Sequence, residues 1–320
     1  MNIKAKIVTF AGAIALLSGG AAAEEIKIGL PNWVTAAITG EIINYIASND
    51  LGYKSSSVPG TNPVIFKAMG LGTGDIDIHP EVWLPNQANL AKQYVEEAGT
   101  VALAANPFEV RQGVCTTRYT AETLGIKSVY DLANAELSAK FDTDGNGRGE
   151  FWPGAHGFAS TNVEMVKARE YGYDQFWDLV PTDESIHLSN MDKAANENKF
   201  YLGQCQQTHH IFALHDLVWL EEPPYDAEAW HMIQPSEDPE WFEKSKVATA
   251  WPPSDIHIAY SKSLESRAPE LVDLLNRIQL DADLVGLWSL MVIADGLTPE
   301  QAAKKWVDEN RSTVDGWLGL

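Results

Sequence analysis

The chain has 320 residues and a formal net charge of −21, spread along its length rather than gathered in a tail. That balance argues against nucleic acid or an anionic membrane surface as a partner, since both would be repelled. It leaves a cationic or zwitterionic ligand open, and the length suits one large domain or two ordinary ones.

The first segment in chain order is an address rather than an element of the fold. Lys4 and Lys6 precede an apolar run from Ile7 to Leu17, and small residues follow from Ser18 to Ala23. This is the pattern of a secretory signal peptide over residues 1–23, cleaved after Ala23. The run is too short for a membrane span of roughly 20 residues, and no cysteine follows it to take a lipid anchor. Without Lys4 and Lys6 the formal charge becomes −23. The expected product is a soluble, exported protein in the periplasm.

Short apolar runs then alternate with helical patterns. Ile26 to Pro31 reads as a strand, Ala36 to Ser48 as a helix, Lys54 to Val58 as a strand and Pro63 to Leu71 as a helix. Ile76 to Ile78 reads as a third strand and Pro85 to Ala98 as a helix stopped at Gly99. Further on, strands are expected at Gln112 to Thr117, Phe151-Trp152 and Tyr201 to Gln206, with strand character again from Ala248 to Tyr260. Helices are expected at Val129 to Phe141 in two pieces, Thr161 to Tyr171 and Met191 to Lys199. Three more close the chain at Pro269 to Ile278, Asp283 to Ala294 and Pro299 to Glu309, the last opened by Thr298-Pro299.

This rhythm implies an α/β protein with mostly parallel sheets flanked by helices. No repeat and no low-complexity linker divides it, which suits two lobes joined by more than one chain crossing. A ligand of such a fold lies in the cleft, where loops at strand ends converge.

Cys115 and Cys205 are the two cysteines. An even count in an exported chain favours a disulfide between them. Two separate buried thiols are the alternative, and neither has a second ligand at a recognisable metal spacing.

Four stretches together resemble the substrate-binding components of glycine betaine/choline-type ABC transporters. They are Ile28-Gly29-Leu30-Pro31-Asn32-Trp33, the segment from Gly74 to Pro85 with its Gly-Asp-Ile-Asp and Trp-Leu-Pro, the loop Phe141 to Glu150, and Trp251-Pro252-Pro253 with the final helix around Trp306. The resemblance runs from Ile26 to the C-terminus. It implies a two-lobed periplasmic binding protein fold of type II, with residues 24–111 and 247–320 as lobe I and residues 112–246 as lobe II. It also implies delivery of the ligand to a permease in the inner membrane by a binding protein that is a monomer and not an enzyme. The segment Gln204 to His210 departs from the family, because it lacks the tryptophan often found there.

The chemistry follows from the ligand class. A methylated ammonium group offers no donor, so its diffuse charge is best met by aromatic faces, each contact giving roughly 0.5–2 kcal/mol. The chain holds 11 tryptophans. Trp33 and Trp83 follow predicted strands where cleft loops begin, Trp152 lies beside a Pro/Gly loop, and Trp251 precedes a lobe crossing; these four are the expected cage. Trp177, Trp288 and Trp306 sit at helical spacing and read as packing residues.

A carboxylate beside the cage would add charge complementarity. Glu150 is the first candidate, since strand alternation puts it on the face of Trp152, and Glu81 is its competitor. Such a carboxylate, with no arginine nearby to pair an acid group, favours trimethylamine N-oxide as ligand, then choline or glycine betaine.

Asp142, Asp144 and Asn146 match the opening of a calcium loop, but the twelfth position is Pro153 rather than the bidentate Glu. They are candidate calcium ligands, and no cofactor is otherwise required. His209, His210 and His215 raise a metal-dependent hydrolase as an alternative, although no His-Glu-x-x-His spacing supports it. A periplasmic ligand-sensing domain is the other alternative.

Overall fold

The computed structural model describes residues 25–320, and the expected signal segment 1–23 lies outside the described residues. The first five strands are β1 (Ile26–Leu30), β2 (Ser55–Pro59), β3 (Ile78–Leu84), β4 (Val101–Leu103) and β5 (Phe108–Val110). The middle of the chain supplies β6 (Gln112–Thr117), β7 (Gly149–Phe151), β8 (Trp177–Leu179), β9 (Leu202–Gln206) and β10 (Leu217–Trp219). Two short strands, β11 (Trp230–His231) and β12 (Lys246–Val247), precede the long β13 (Ser254–Ser261).

A six-stranded sheet has the order β2-β1-β3-β13-β4, with β5 also paired to β13. The parallel pattern expected from the sequence is present in β2-β1-β3. β13 runs antiparallel to β3, β4 and β5. It enters this sheet on the chain's return from the middle segment, so the rule that joins neighbouring parallel strands through a crossover helix does not bind it. The second sheet, β10-β6-β9, is antiparallel throughout.

Helix α1 (Val34–Asn49) follows β1 after three residues and buries Ala36, Ile38, Ile42, Ile43 and Ile46. Those side chains join the core built with the helices Ala282–Ile293, Pro299–Glu309 and Arg311–Leu318. Ile65 of helix α2 (Asn62–Leu71) lies directly on β1, because Gly29 has no side chain there. A Cβ at Gly29 would stand 2.8 Å from Ile65 and 2.9 Å from Ile76. That close approach sets Asn62, the first residue of α2, within reach of His79 on β3.

β3 departs from its expected bounds, running from Ile78 to Leu84 and not from Ile76 to Ile78. Pro80 breaks the local strand pattern, since proline cannot donate to a ladder. The pairing of β3 with β13 shifts register between His257 and Ala259, opposite Pro80-Glu81, so the missing N–H falls at the irregularity. Trp83 is therefore a strand residue, opposite Ile256, rather than the first residue of a loop.

Cys115 of β6 and Cys205 of β9 form a disulfide across the antiparallel pair, with Cα atoms 5.7 Å apart. The separation lies in the usual range for a bridge. Among the described residues, no helix is long and apolar enough to cross a membrane.

Candidate ligand-binding cleft

Strand alternation puts His79, Glu81 and Trp83 on one face of β3. Trp33, the cap residue of α1, closes over the same face. Its indole Nε1 donates to Glu81 Oε2 at 2.7 Å, and Trp83 Nε1 donates to the same oxygen at 3.4 Å. Thr35 Oγ1 adds a bond to Oε2 at 2.8 Å, and Thr39 Oγ1 one to Oε1 at 3.1 Å. Glu81 is fully buried. Burial pushes its carboxyl up to about 7, against the pull of these four donors, which favour the ionised form.

In front of this group lies a narrow cavity of about 20 Å³ between facing walls. The N-terminal part of the chain lines it with Trp33, Asn62, Trp83, Asn86 and Gln87. The middle segment contributes Phe158, Ala159, Ser160 and Gln206 from the opposite side. Phe158 meets Trp33 edge to face, with centroids 5.4 Å apart. No lysine or arginine lines the cavity. Two hydrogen bonds tie the facing walls: Val34 N–H donates to Glu184 Oε2 at 3.2 Å, and Asn32 Nδ2 to the His156 carbonyl at 3.4 Å.

The polar lining is held from behind. Asn86 and Gln112 exchange two amide bonds of 2.9 Å. The backbone N–H of Trp83 donates to Gln87 Oε1 at 3.1 Å. The backbone N–H of Glu81 donates to His79 Nδ1 at 3.2 Å, and His79 Nε2 lies 3.0 Å from Asn62 Oδ1.

The structure brings two of the expected ligand residues, Trp33 and Trp83, to this cavity and sets three elsewhere. Trp152 stacks on His187 at 3.8 Å and donates from Nε1 to the Thr182 carbonyl at 3.0 Å. It packs so closely on β9 that a Cβ at Gly203 would stand 3.1 Å from its Cβ. Glu150 shares a second, separate hollow with Trp152, and its carboxylate accepts from Thr143 N and Oγ1. Trp251 donates to Glu164 Oε1 at 2.7 Å beside the buried Lys167, which pairs with Glu222.

Carboxylate oxygens of Asp142, Asp144 and Glu150 converge within 4.8 Å, the one such group of three potential metal ligands among the described residues. Asp142 accepts the N–H groups of Gly145 and Gly147, while the Asn146 side chain bonds Asp144 and Asp178. The three histidines face different partners: His209 meets Glu184, His210 meets Ser289 and His215 meets Asp192.

Phe158 and Asn62 were missed by the sequence reading. Phe158 is the extended cap before the Ala159–Glu170 helix and Asn62 is the first residue of α2, and a helix start after a strand or loop was the available signal.

Residues 24–309 match the family described as the substrate binding domain of ABC-type glycine betaine transport systems. The fold is similar to lactococcal OpuAC solved closed with glycine betaine, at 19% identity and a TM-score of 0.68, covering 92% of this chain and 99% of that one. It is similar to an ABC-transporter choline binding protein in complex with choline, at 16% identity and a TM-score of 0.69, covering 93% of this chain and 92% of that one. A glycine betaine/L-proline-binding protein of Borrelia burgdorferi is also similar, at 18% identity and a TM-score of 0.67, covering 92% of this chain and 96% of that one. No curated protein sequence matches the chain.

Proposed function

The chain belongs to the substrate-binding domain family of ABC-type glycine betaine transport systems, and on that premise we propose that it captures a small methylated ammonium compound against Trp33 and Trp83. It is the substrate-binding component of a glycine betaine/choline-type importer that works with an ABC permease, and not an enzyme. Such components are typically periplasmic or extracellular. Removal of residues 1–23 and a periplasmic location are part of the proposal.

One observation carries the cage reading: a single buried carboxylate oxygen, Glu81 Oε2, accepts both indole N–H groups. The bonds fix the two rings beside the cavity. The acid draws the two indole protons toward itself and leaves electron density on the rings, which enriches the faces that a cation meets. Phe158 supplies a third aromatic group across the cavity.

We favour trimethylamine N-oxide, then choline or glycine betaine. A cavity with a buried acid behind it and no lysine or arginine in its lining is a poor host for a full carboxylate. The lobe division 24–111 with 247–320, and 112–246, is supported by two chain passages. The chain leaves the six-stranded sheet between β5 and β6, and it returns between β12 and β13.

The test is a calorimetric panel of trimethylamine N-oxide, choline and glycine betaine. Trimethylamine N-oxide is expected to bind tightest at one site. Glycine betaine binding tighter than both others would overturn the ligand assignment.

A further inference from the structure

The structure assigns a second half to the site: we propose that the amide N–H2 groups of Asn62 and Gln87 read an acceptor oxygen on the ligand. The inference rests on the methylated-ammonium reading and adds the chemistry of the ligand's other end.

Two backbone N–H groups of β3 can only donate, and this fixes what they meet. The N–H of Trp83 reaches Gln87 at 3.1 Å, so the amide atom it meets is the oxygen. The Gln87 N–H2 group is then the end directed away from the strand, and Gln87 lines the cavity. The N–H of Glu81 reaches His79 Nδ1 at 3.2 Å, so that nitrogen is the acceptor. A neutral imidazole with an acceptor Nδ1 carries its proton on Nε2. Burial keeps His79 neutral, pulling it down to about 3.

His79 Nε2–H therefore donates across 3.0 Å to Asn62, which again must present its oxygen inward. The Asn62 N–H2 group is left on the cavity side. His79 is a positioning residue here, and it acts through Asn62. The neighbouring amide differs, because Asn86 is locked at both ends by its exchange with Gln112.

Two donor amides beside an aromatic wall suit a ligand that combines a methylated ammonium group with an acceptor oxygen. They offer nothing to an ammonium ion without one. An N-oxide oxygen carries concentrated negative charge and is well served by neutral N–H donors.

The test compares trimethylamine N-oxide with tetramethylammonium, which replaces the oxygen by a methyl group. Both are titrated calorimetrically into the wild type and into Asn62→Ala, Gln87→Ala and Asn62→Asp. Each alanine variant is expected to lower trimethylamine N-oxide affinity at least about tenfold, the size of one charge-assisted bond, while changing tetramethylammonium affinity less than about twofold. Asn62→Asp replaces a donor by an acceptor and adds negative charge. It is expected to weaken trimethylamine N-oxide and to tighten tetramethylammonium, an opposite movement that simple damage to the cleft cannot produce. Equal losses for both ligands, or full trimethylamine N-oxide affinity in both alanine variants, would overturn the assignment and leave the cage reading intact. A wild type that binds neither compound overturns both readings.

Discussion

The Trp33 indole and the Glu81 carboxylate are joined by a 2.7 Å hydrogen bond across two elements that are 48 residues apart in the chain. Trp33 caps α1 and Glu81 lies in the middle of β3. The bond couples the orientation of an aromatic face to the ionisation of an acid behind it, and pH should act on both.

Glu81 has a folded-state carboxyl near 7, raised from an ordinary value of 4.5. The folded form therefore binds more protons than the unfolded form between these values, and stability falls as pH rises through that window. His79, held neutral down to about 3, contributes in the opposite sense below pH 6.5, so the Glu81 effect is read as a difference: the ligand-free melting temperature of the wild type should fall relative to that of Glu81→Gln between pH 5 and 8. Ionised Glu81 attracts a cation, so choline affinity should rise from pH 6 to 8 in the wild type and stay level in Glu81→Gln. Calorimetry across this range checks both the direction and its loss.

Trp83→Ala removes one ring from the wall of the cavity and one of the donors to Glu81. Affinity for methylated ammonium ligands should fall at least about tenfold, in line with a desolvated cation–π contact. Circular dichroism should still report a folded chain. Unchanged affinity would remove Trp83 from the site.

Glu184 links the facing walls through its bond to Val34 N–H, at the positive end of α1. Glu184→Ala should speed ligand dissociation and weaken binding by about 1.5–3 kcal/mol, the range for a hydrogen bond to a charged group. Glu184→Gln keeps an acceptor and should lose less. Stopped-flow dissociation separates the two variants, and identical rates in all three proteins would deny the link.

The Cys115–Cys205 bridge closes a separation of 90 residues between adjacent strands. Replacing both with alanine should cost about 2–4 kcal/mol of unfolding free energy, measured by chemical denaturation. A change under about 0.5 kcal/mol would mean that β6 and β9 hold each other without the bridge.

Much of the fold was legible because its signals are local. The isoleucines of α1 recur at helical spacing, and Thr298-Pro299 with Gln301 builds the capping box that opens the Pro299–Glu309 helix. β3 was misread because Pro80 looks like a strand end, whereas the register shift opposite it in β13 absorbs the missing donor. That misreading hid the face shared by His79, Glu81 and Trp83.

For the site, Trp33 and Trp83 stood out as aromatic residues at strand ends. Trp152 and Trp251 gave the same local signal, yet Trp152 is packed against His187 and Trp251 against the Glu164–Lys167 group. Which indole faces a cavity depends on long-range packing that no local pattern encodes. Glu150 likewise turns back to Thr143 seven residues earlier, an outcome of the loop's own hydrogen bonding.

The most direct test is a calorimetric comparison of choline with 3,3-dimethylbutan-1-ol, its neutral carbon isostere. The two share shape and hydroxyl group and differ in charge. If Trp33 and Trp83 above Glu81 hold a cation, choline should bind at least about thirtyfold tighter, from roughly 2 kcal/mol of cation–π and charge attraction. Equal affinity for the two would contradict the account.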